Sequence, residues 1–252
     1  MARTARIDSN IYERRPAKSG KVRKLQSTLL AKAKKEPSYR FYSLWDKVWR
    51  DDVLREAYER CRRNAGSPGV DRETFAQIES QGVGAWLGKL REDLRTGQYR
   101  PQALRRVWIP KSGRGERPLG IPTLRDRVAQ TAAVLVLAPI FEADFCEEQM
   151  GYRPGRDAKT AVRLVYYQVG QKGRQEVVDA DVSDYFGTIP HGALLKCLSR
   201  RIADGKMLLA RKGLADGSCR GAPMGKGKQP DDTGQGYLSW YATGRCNITF
   251  AG

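Results

Sequence analysis

The chain has 252 residues, of which 40% are hydrophobic and 29% are charged, and this balance excludes wholesale disorder. Lys and Arg number 46 against 28 Asp and Glu, so the net charge is +18 at pH 7. A field of that sign attracts polyanions, which makes nucleic acid the first candidate partner and an anionic membrane surface the second.

The cysteines and the histidine limit the chemistry and the compartment. The five cysteines are odd in number and none forms a C-x-x-C pair, which is typical of free thiols in a reducing compartment. Because His191 is the sole histidine, zinc hydrolases and histidine-based triads have too few residues to work with. The start has no apolar signal segment, and the longest apolar stretch, Ala132 to Phe141, is too short to span a bilayer. We therefore expect a cytoplasmic protein without a membrane partner.

Residues 1–40 carry half of the net charge, with twelve Lys and Arg against three acids. A segment of this kind is either a nucleic-acid-binding arm or a solvated tail. The charge of the remaining chain favours the nucleic-acid arm, and we expect it to be flexible.

Two helical regions follow the arm. Apolar residues from Trp45 to Cys61 recur mostly at helical spacing, and the turn Gly66–Gly69 ends that pattern. A second helix is predicted from Thr74 through Leu94, divided by Gly82, Gly84 and Gly88, and ended by Gly97.

A hairpin and a buried helix come next. Residues Arg105 to Trp108 and Arg117 to Ile121 predict two strands joined by a basic turn at 110–115. Thr123, followed by Asp126, is typical of a helix start. The helix predicted from there to Phe145 is apolar on nearly every side, which indicates a core element.

The remaining pattern predicts a loop at 151–156, a helix from Ala158 to Val169, and a strand from Glu176 to Val182. A helix opening at Pro190-His191 is expected to run to about Ala210. From residue 210 onward Gly, Pro, Asp and Lys dominate, so loop or disorder is expected there.

Several of these segments occur together in one known family. They are GSPGVDRETF, LREDLRTGQYRP, RRVWIPKSGRGERPLGIPTLRDRV, GYRPGR and VVDADVSDYFGTIPH. In this order, between Trp45 and Leu209, they resemble the fingers and early palm of group II intron reverse transcriptases, also called intron-encoded maturases. The resemblance implies an α+β fold: reverse-transcriptase fingers and a partial palm, with an antiparallel sheet backed by helices and no thumb.

The implied domains are a basic flexible arm (1–40), an amino-terminal and fingers region (41–125), a partial palm (126–209) and a low-complexity, aberrant tail (210–252). The implied partners are intron RNA, a template–primer and deoxynucleoside triphosphates. The implied cofactor is Mg²⁺, because nucleotide addition uses two divalent metals held by carboxylates.

The resemblance also implies site residues. Asp181 would bind the metals, aided by the Val182 carbonyl, although an exposed strand aspartate is the alternative from the residues alone. Phe186 would pack under the sugar of the incoming nucleotide, or lie in the core. Lys111 and Arg117 would bind the triphosphate, or be solvated hairpin cations.

Four further arginines are candidates for contact with nucleic acid. Arg153 and Arg156 are expected to bind template or primer phosphates, with Arg125 and Arg127 as weaker candidates because basic first turns are often solvated. His191 is expected to belong to a helix start rather than to catalysis.

Two family motifs are missing from the printed sequence: the G-x-P-Q-G-G segment and the Y-x-D-D turn with its two catalytic aspartates. Asp231-Asp232 follows a proline and lacks the flanking apolar residues of a hairpin, so we interpret it as a loop pair. The expectation is a truncated or frame-shifted derivative that is inactive alone. The alternatives are a non-catalytic RNA-binding module and a basic protein of unrelated fold.

Overall fold

The computed structural model describes residues 20–110, 116–151, 153, 155–174, 176–180, 189–208 and 219–220. In chain order the elements are α1 (Gly20–Lys35), α2 (Trp45–Val48), α3 (Asp51–Asn64), α4 (Phe75–Gln81), α5 (Val83–Thr96), β1 (Leu104–Pro110), β2 (Glu116–Ile121), α6 (Leu124–Glu142), α7 (Ala158–Tyr166) with a π-helical extension (Tyr167–Gln171), α8 (His191–Ser199) and β3 (Cys219–Arg220).

Helix α6 is the centre of the core. Its 19 residues are mostly buried, including Val128, Ala132, Val136 and Ile140 at helical spacing, as the apolar pattern predicted. Helices α1 and α3 pack against it. Thr123 caps the start of the helix, because its hydroxyl accepts a hydrogen bond from the Asp126 amide at 3.1 Å, which confirms the predicted start.

Helix α1 corrects the prediction of a flexible arm (residues 1–40) for its described part. Val22, Leu29 and Ala33 form a buried face, and the Gln26 side chain donates a hydrogen bond to the Leu135 carbonyl of α6 at 3.0 Å. The prediction weighed the dense positive charge and not the helical spacing of the apolar residues. Charge on one face of a helix does not prevent burial of the other face. Residues 1–19 lie outside the described residues.

Glycines divide and end the second helical region as predicted. Gly82 has φ +95° and separates α4 from α5, and Gly97 has φ +74° at the end of α5. Both values favour glycine because a Cβ atom is disfavoured in that region of the backbone map. Gly84 and Gly88 instead continue α5.

The sheet contains the predicted hairpin and one unpredicted strand. β1 and β2 pair antiparallel, with Arg105 opposite Ile121 and Ile109 opposite Arg117. β3 pairs parallel with β1, with Leu104 opposite Cys219. The fold is therefore helices with a small, largely antiparallel sheet, in agreement with an α+β fragment of fingers and palm.

The strand predicted from Glu176 to Val182 is wrong over its described part. Residues 176–180 have no regular secondary structure, and Val177 and Val178 are 75% and 92% exposed. A strand requires a neighbour to pair its N–H and C=O groups, and no strand that the structure describes pairs with this segment. Apolar alternation alone does not provide that neighbour.

The last predicted helix is shorter than expected. It ends at Ser199, and residue 202 instead forms a parallel bridge with Phe41. The Phe41 amide donates to the Arg201 carbonyl at 2.8 Å, and the Phe41 carbonyl accepts from the Ala203 amide at 2.7 Å. These bonds replace the helical ones. Within the described ranges, no helix is both long enough and apolar enough to cross a bilayer.

Candidate nucleic-acid interface

The predicted metal and nucleotide residues fall largely outside the described chain. Asp181, Val182 and Phe186 lie in the undescribed range 181–188, and Lys111 lies in 111–115. Arg117 is placed by its backbone, opposite Ile109 in the hairpin. No cluster of three or more potential metal-binding side chains occurs among the residues that the structure covers. The roles expected for Asp181, Val182, Phe186, Lys111 and Arg117 therefore stay predictions.

Asp126 joins the base of the hairpin to helix α6. Its carboxylate is buried and accepts hydrogen bonds from the Tyr99 hydroxyl at 2.5 Å, the Gln102 amide at 3.1 Å and the Thr123 hydroxyl at 2.8 Å. Burial, together with the nearby Asp126 charge, raises the pKa of Tyr99, so its hydroxyl stays a donor. The sequence indicated Asp126 as a helix-start residue but gave no signal for its contact with the 99–102 linker.

Arg125 and Arg127 both contact protein. Arg125 pairs with Asp93 of α5, and its guanidinium lies 5.6 Å from the centre of the Tyr99 ring. Arg127 donates a hydrogen bond to the Ser67 carbonyl. Both side chains are partly exposed, so contact with nucleic acid stays a prediction for them.

The turn at 66–69 is packed closely against the start of α6. A Cβ atom on Gly69 would lie 2.6 Å from the Thr123 Cα atom, which is closer than real contacts allow. Arg105 of β1 also donates to the Pro68 carbonyl at 2.9 Å. The turn thereby links the hairpin to the helix that leads into the loop at 151–156.

Arg153 is buried inside that loop. Its guanidinium donates twice to the Glu142 carboxylate, at 3.0 and 2.6 Å, and to the carbonyls of Cys146 and Gln149, at 2.6 and 2.8 Å. These four bonds fasten the loop to the end of α6. A guanidinium with these four bonds holds the loop and is largely shielded from solvent. The expected contact of Arg153 with template or primer phosphates stays a prediction.

Arg156 is held differently. It is half-buried, and the turn at Gly155, with φ +72°, brings it next to Arg153. Its Nε atom is buried without a hydrogen-bond partner among the described residues, and its Nη1 atom lies 3.9 Å from the Met150 sulfur. Burial first, and then the Arg153 charge, lower the pKa of Arg156 by more than the charges of Glu142, Glu147 and Glu148 raise it. A bound anion would offset the cost of both.

Two further buried charged residues, Arg201 and Asp204, were not predicted from the sequence. Each contacts a different part of the chain. Arg201 donates to the carbonyls of Ala33, Glu36, Pro37 and Tyr39, where helix α1 ends. Asp204 accepts from the amides of Leu44 and Trp45, each at 2.8 Å. Burial raises the pKa of Asp204, but these amide donors outweigh that effect, so its pKa is lowered. No local pattern could reveal these contacts, because their partners lie more than 150 residues away in the sequence.

Residues 109–235, about half of the chain, match the family described as reverse transcriptase (RNA-dependent DNA polymerase). The chain belongs to the reverse transcriptase family. The match begins in β1 and includes the hairpin, helix α6, the loop at 151–156 and the range that holds Asp181.

Two of the three curated relatives described next carry intron names. This reverse transcriptase is 35% identical to protein YkfC of Escherichia coli (strain K12) over 74% of this chain and 50% of that protein. It is 31% identical to the group II intron-encoded protein LtrA of Lactococcus lactis subsp. cremoris over 66% of this chain and 27% of LtrA. It is 31% identical to the putative COX1/OXI3 intron 1 protein of Saccharomyces cerevisiae over 61% of this chain and 18% of that protein.

These relatives confirm the branch that the sequence motifs indicated, the group II intron reverse transcriptases and maturases. The chain spans half of the length of YkfC and about a quarter of LtrA. The activity, substrates and partners of the whole proteins are therefore carried over only as proposals.

Proposed function

We propose that this chain binds RNA as the fingers and early palm of a group II intron-type RNA-directed DNA polymerase, and that Arg156 binds an RNA phosphate. The observation that supports this role is the state of Arg156: a half-buried guanidinium beside a second arginine, with an unpartnered Nε atom. The intron names of the relatives favour intron RNA as the ligand.

The physical reason lies in desolvation. A guanidinium that is partly removed from water without a carboxylate bonded to it is less stable than one in a complete ion pair. A phosphate supplies the missing negative charge and matches the planar fork of arginine donors. Arg153 is proposed to contribute indirectly, because its bonds to Glu142 and to the loop carbonyls fix the position of the Arg156 backbone.

For the polymerase step, Asp181 and the Val182 carbonyl would hold Mg²⁺, which would stabilise the developing charge of phosphoryl transfer when bound. Lys111 and Arg117 would bind the triphosphate of the incoming nucleotide, and Phe186 would contact its sugar. The hairpin supports this proposal for Arg117, because the antiparallel register with Ile109 fixes its backbone next to the basic turn.

We predict that the chain binds RNA with a strong salt dependence and that Arg156→Gln weakens binding about ten- to a hundredfold. A charge-assisted hydrogen bond contributes roughly 1.5–3 kcal/mol to binding. Loss of one phosphate contact lowers the salt slope, the slope of the logarithm of the binding constant against the logarithm of the salt concentration, by about one. Titration of labelled intron RNA at several salt concentrations measures both quantities.

Arg95→Gln is the matched control for that titration. Arg95 is exposed and paired with Glu92 at 2.6 Å, so its guanidinium already has an anion and its loss should leave affinity nearly unchanged. Equal weakening by both substitutions would show only a general charge effect and would contradict the assignment to Arg156. Salt-independent binding by the unaltered chain would contradict the RNA-binding proposal itself.

The sequence also favours a second candidate, RNA binding without synthesis, because the printed residues contain no Y-x-D-D turn. We predict no primer extension by a polypeptide of these 252 residues on an RNA template with Mg²⁺. Removing two carboxylates from a two-metal site should nearly abolish metal binding. Extension above background, abolished by Asp181→Asn, would show that the chain completes its own site and would refute the predicted inactivity.

A further inference from the structure

Tyr42 is exposed on a backbone that is fixed on both sides. Its ring is 71% exposed, whereas Phe41 and Leu44 are buried. The Phe41 amide and carbonyl are bonded to residues 201–204, and the Leu44 amide donates to Asp204 at 2.8 Å. The aromatic ring is therefore held outside the core by a rigid segment.

The ring has an aromatic neighbour but little apolar cover. The centres of the Tyr42 and Tyr39 rings are 6.5 Å apart, with their planes tilted by 54°. The Lys32 ammonium lies 4.3 Å from the centre of the Tyr39 ring. Lys32, Tyr39 and Tyr42 therefore form a row with a cation at one end and the exposed Tyr42 ring at the other.

The charge around Tyr42 is mainly positive. Arg40 is exposed, and its Nε donates to the Ser199 carbonyl at 2.9 Å, which restrains the side chain without neutralising it. No described carboxylate pairs with Arg40. Helix α1, which ends just before this segment, contains no acid, and its exposed cations include Lys34 and Lys35.

The nearby acids do not cancel this charge. Glu36 is paired with Lys32 at 2.7 Å, and Asp46 is paired with Lys47 at 3.0 Å. The surface thus combines an accessible aromatic ring with Arg40, for which the described part of the chain shows no ion pair with an acid. This is the pairing of features with which proteins bind single-stranded nucleic acids, since the ring stacks on a base and the cations bind its phosphates.

We infer that Tyr42 stacks on an unpaired base of single-stranded RNA, with Arg40 binding the adjoining phosphate. The inference rests on the RNA binding proposed above and adds a second site, formed by the 39–45 segment and distinct from the loop at 151–156. A tyrosine on a held backbone has only two side-chain torsions to restrict on stacking, so it loses little conformational freedom. Duplex RNA does not fit, because its bases are already stacked on one another and its edges are shared in pairs.

The test uses the full chain and a single-stranded RNA oligomer that contains a fluorescent adenine analogue, whose emission falls on stacking. Tyr42→Ala should weaken binding about tenfold and abolish the fall in emission, since a base–aromatic stack is lost. Tyr42→Phe should retain both, because the ring face rather than the hydroxyl carries the contact. Arg40→Gln should lower the salt slope by about one.

Tyr166→Ala is the matched control, because Tyr166 is 72% exposed on a different element, α7. It should leave binding and emission unchanged. Affinity for a duplex of equal length should not respond to Tyr42→Ala. Thermal unfolding of each variant checks that the fold is intact.

If Tyr42→Ala binds RNA with the affinity and the fall in emission of the unaltered chain, the stacking site is overturned. Salt-dependent RNA binding would then still support the proposed function. Equal losses from Tyr42→Ala and Tyr166→Ala would also overturn the stacking site, since no specific platform would then exist. If the unaltered chain binds no RNA at all, the proposed function fails, and the stacking site fails with it.

Discussion

Replacing Arg201 by alanine should lower the free energy of unfolding by about 3–5 kcal/mol. Arg201 is 4% exposed and donates to four carbonyls at the end of α1, while its Nε lies 3.1 Å from the Asp144 carboxylate. The substitution removes these donors together, so buried carbonyls lose their partners and the negative end of the α1 dipole loses a cation.

Urea unfolding monitored by circular dichroism measures this loss. The midpoint urea concentration should fall, while the slope of the free energy of unfolding against urea concentration should stay unchanged. Arg95→Ala is a suitable control, because the Arg95–Glu92 pair has the same chemistry on the surface, where such pairs contribute at most about 1 kcal/mol. Similar losses in the two variants would contradict the view that Arg201 joins helix α1 to residues 201–204.

The second large effect is expected from the buried pair of Glu142 and Arg153. Their side chains are 4% and 6% exposed and lie 2.6 Å apart. Glu142→Gln keeps the shape of the side chain but leaves the Arg153 charge without its counter-ion, which should reduce stability by about 3–5 kcal/mol. Arg153→Met should cost a similar amount, because it leaves Glu142 charged and also deprives the Cys146 and Gln149 carbonyls of a donor.

A double-mutant cycle tests whether these losses come from one interaction. Glu142→Gln combined with Arg153→Met should lose less than the sum of the single losses, with a coupling free energy of about 0.5–3 kcal/mol. Strict additivity, measured by urea unfolding of all four proteins, would show that the two side chains act independently and that the pair does not hold the loop.

Arg153 and Arg201, the two buried arginines, each support one of the proposed RNA contacts. Arg153 fixes the loop from which Arg156 is presented, and Arg201 fixes the segment from which Tyr42 is presented. Each proposed RNA contact therefore rests on a cation inside the protein. Charge counting along the sequence treats Arg153 and Arg156 alike, whereas their partners in the structure separate them.

The family and many of the local elements could be predicted from the sequence. Gly82 and Gly97 divided and ended helices because their backbone requires φ values that other residues disfavour, and Thr123 began α6 because its hydroxyl binds a nearby amide. The hairpin followed from two short runs and a turn. Each of these signals acts within a few residues, so the local sequence contains it.

Which charges are buried and which segments pair could not be predicted from the sequence, because both depend on contacts in the folded chain. Helix α1 packs through one face although it is strongly basic, Arg201 and Asp204 bind groups far away in the sequence, and residues 176–180 form no strand although their pattern alternates. Burial and strand pairing depend on what a distant segment supplies. That information lies in the arrangement of the chain in space rather than in the spacing of neighbouring residues.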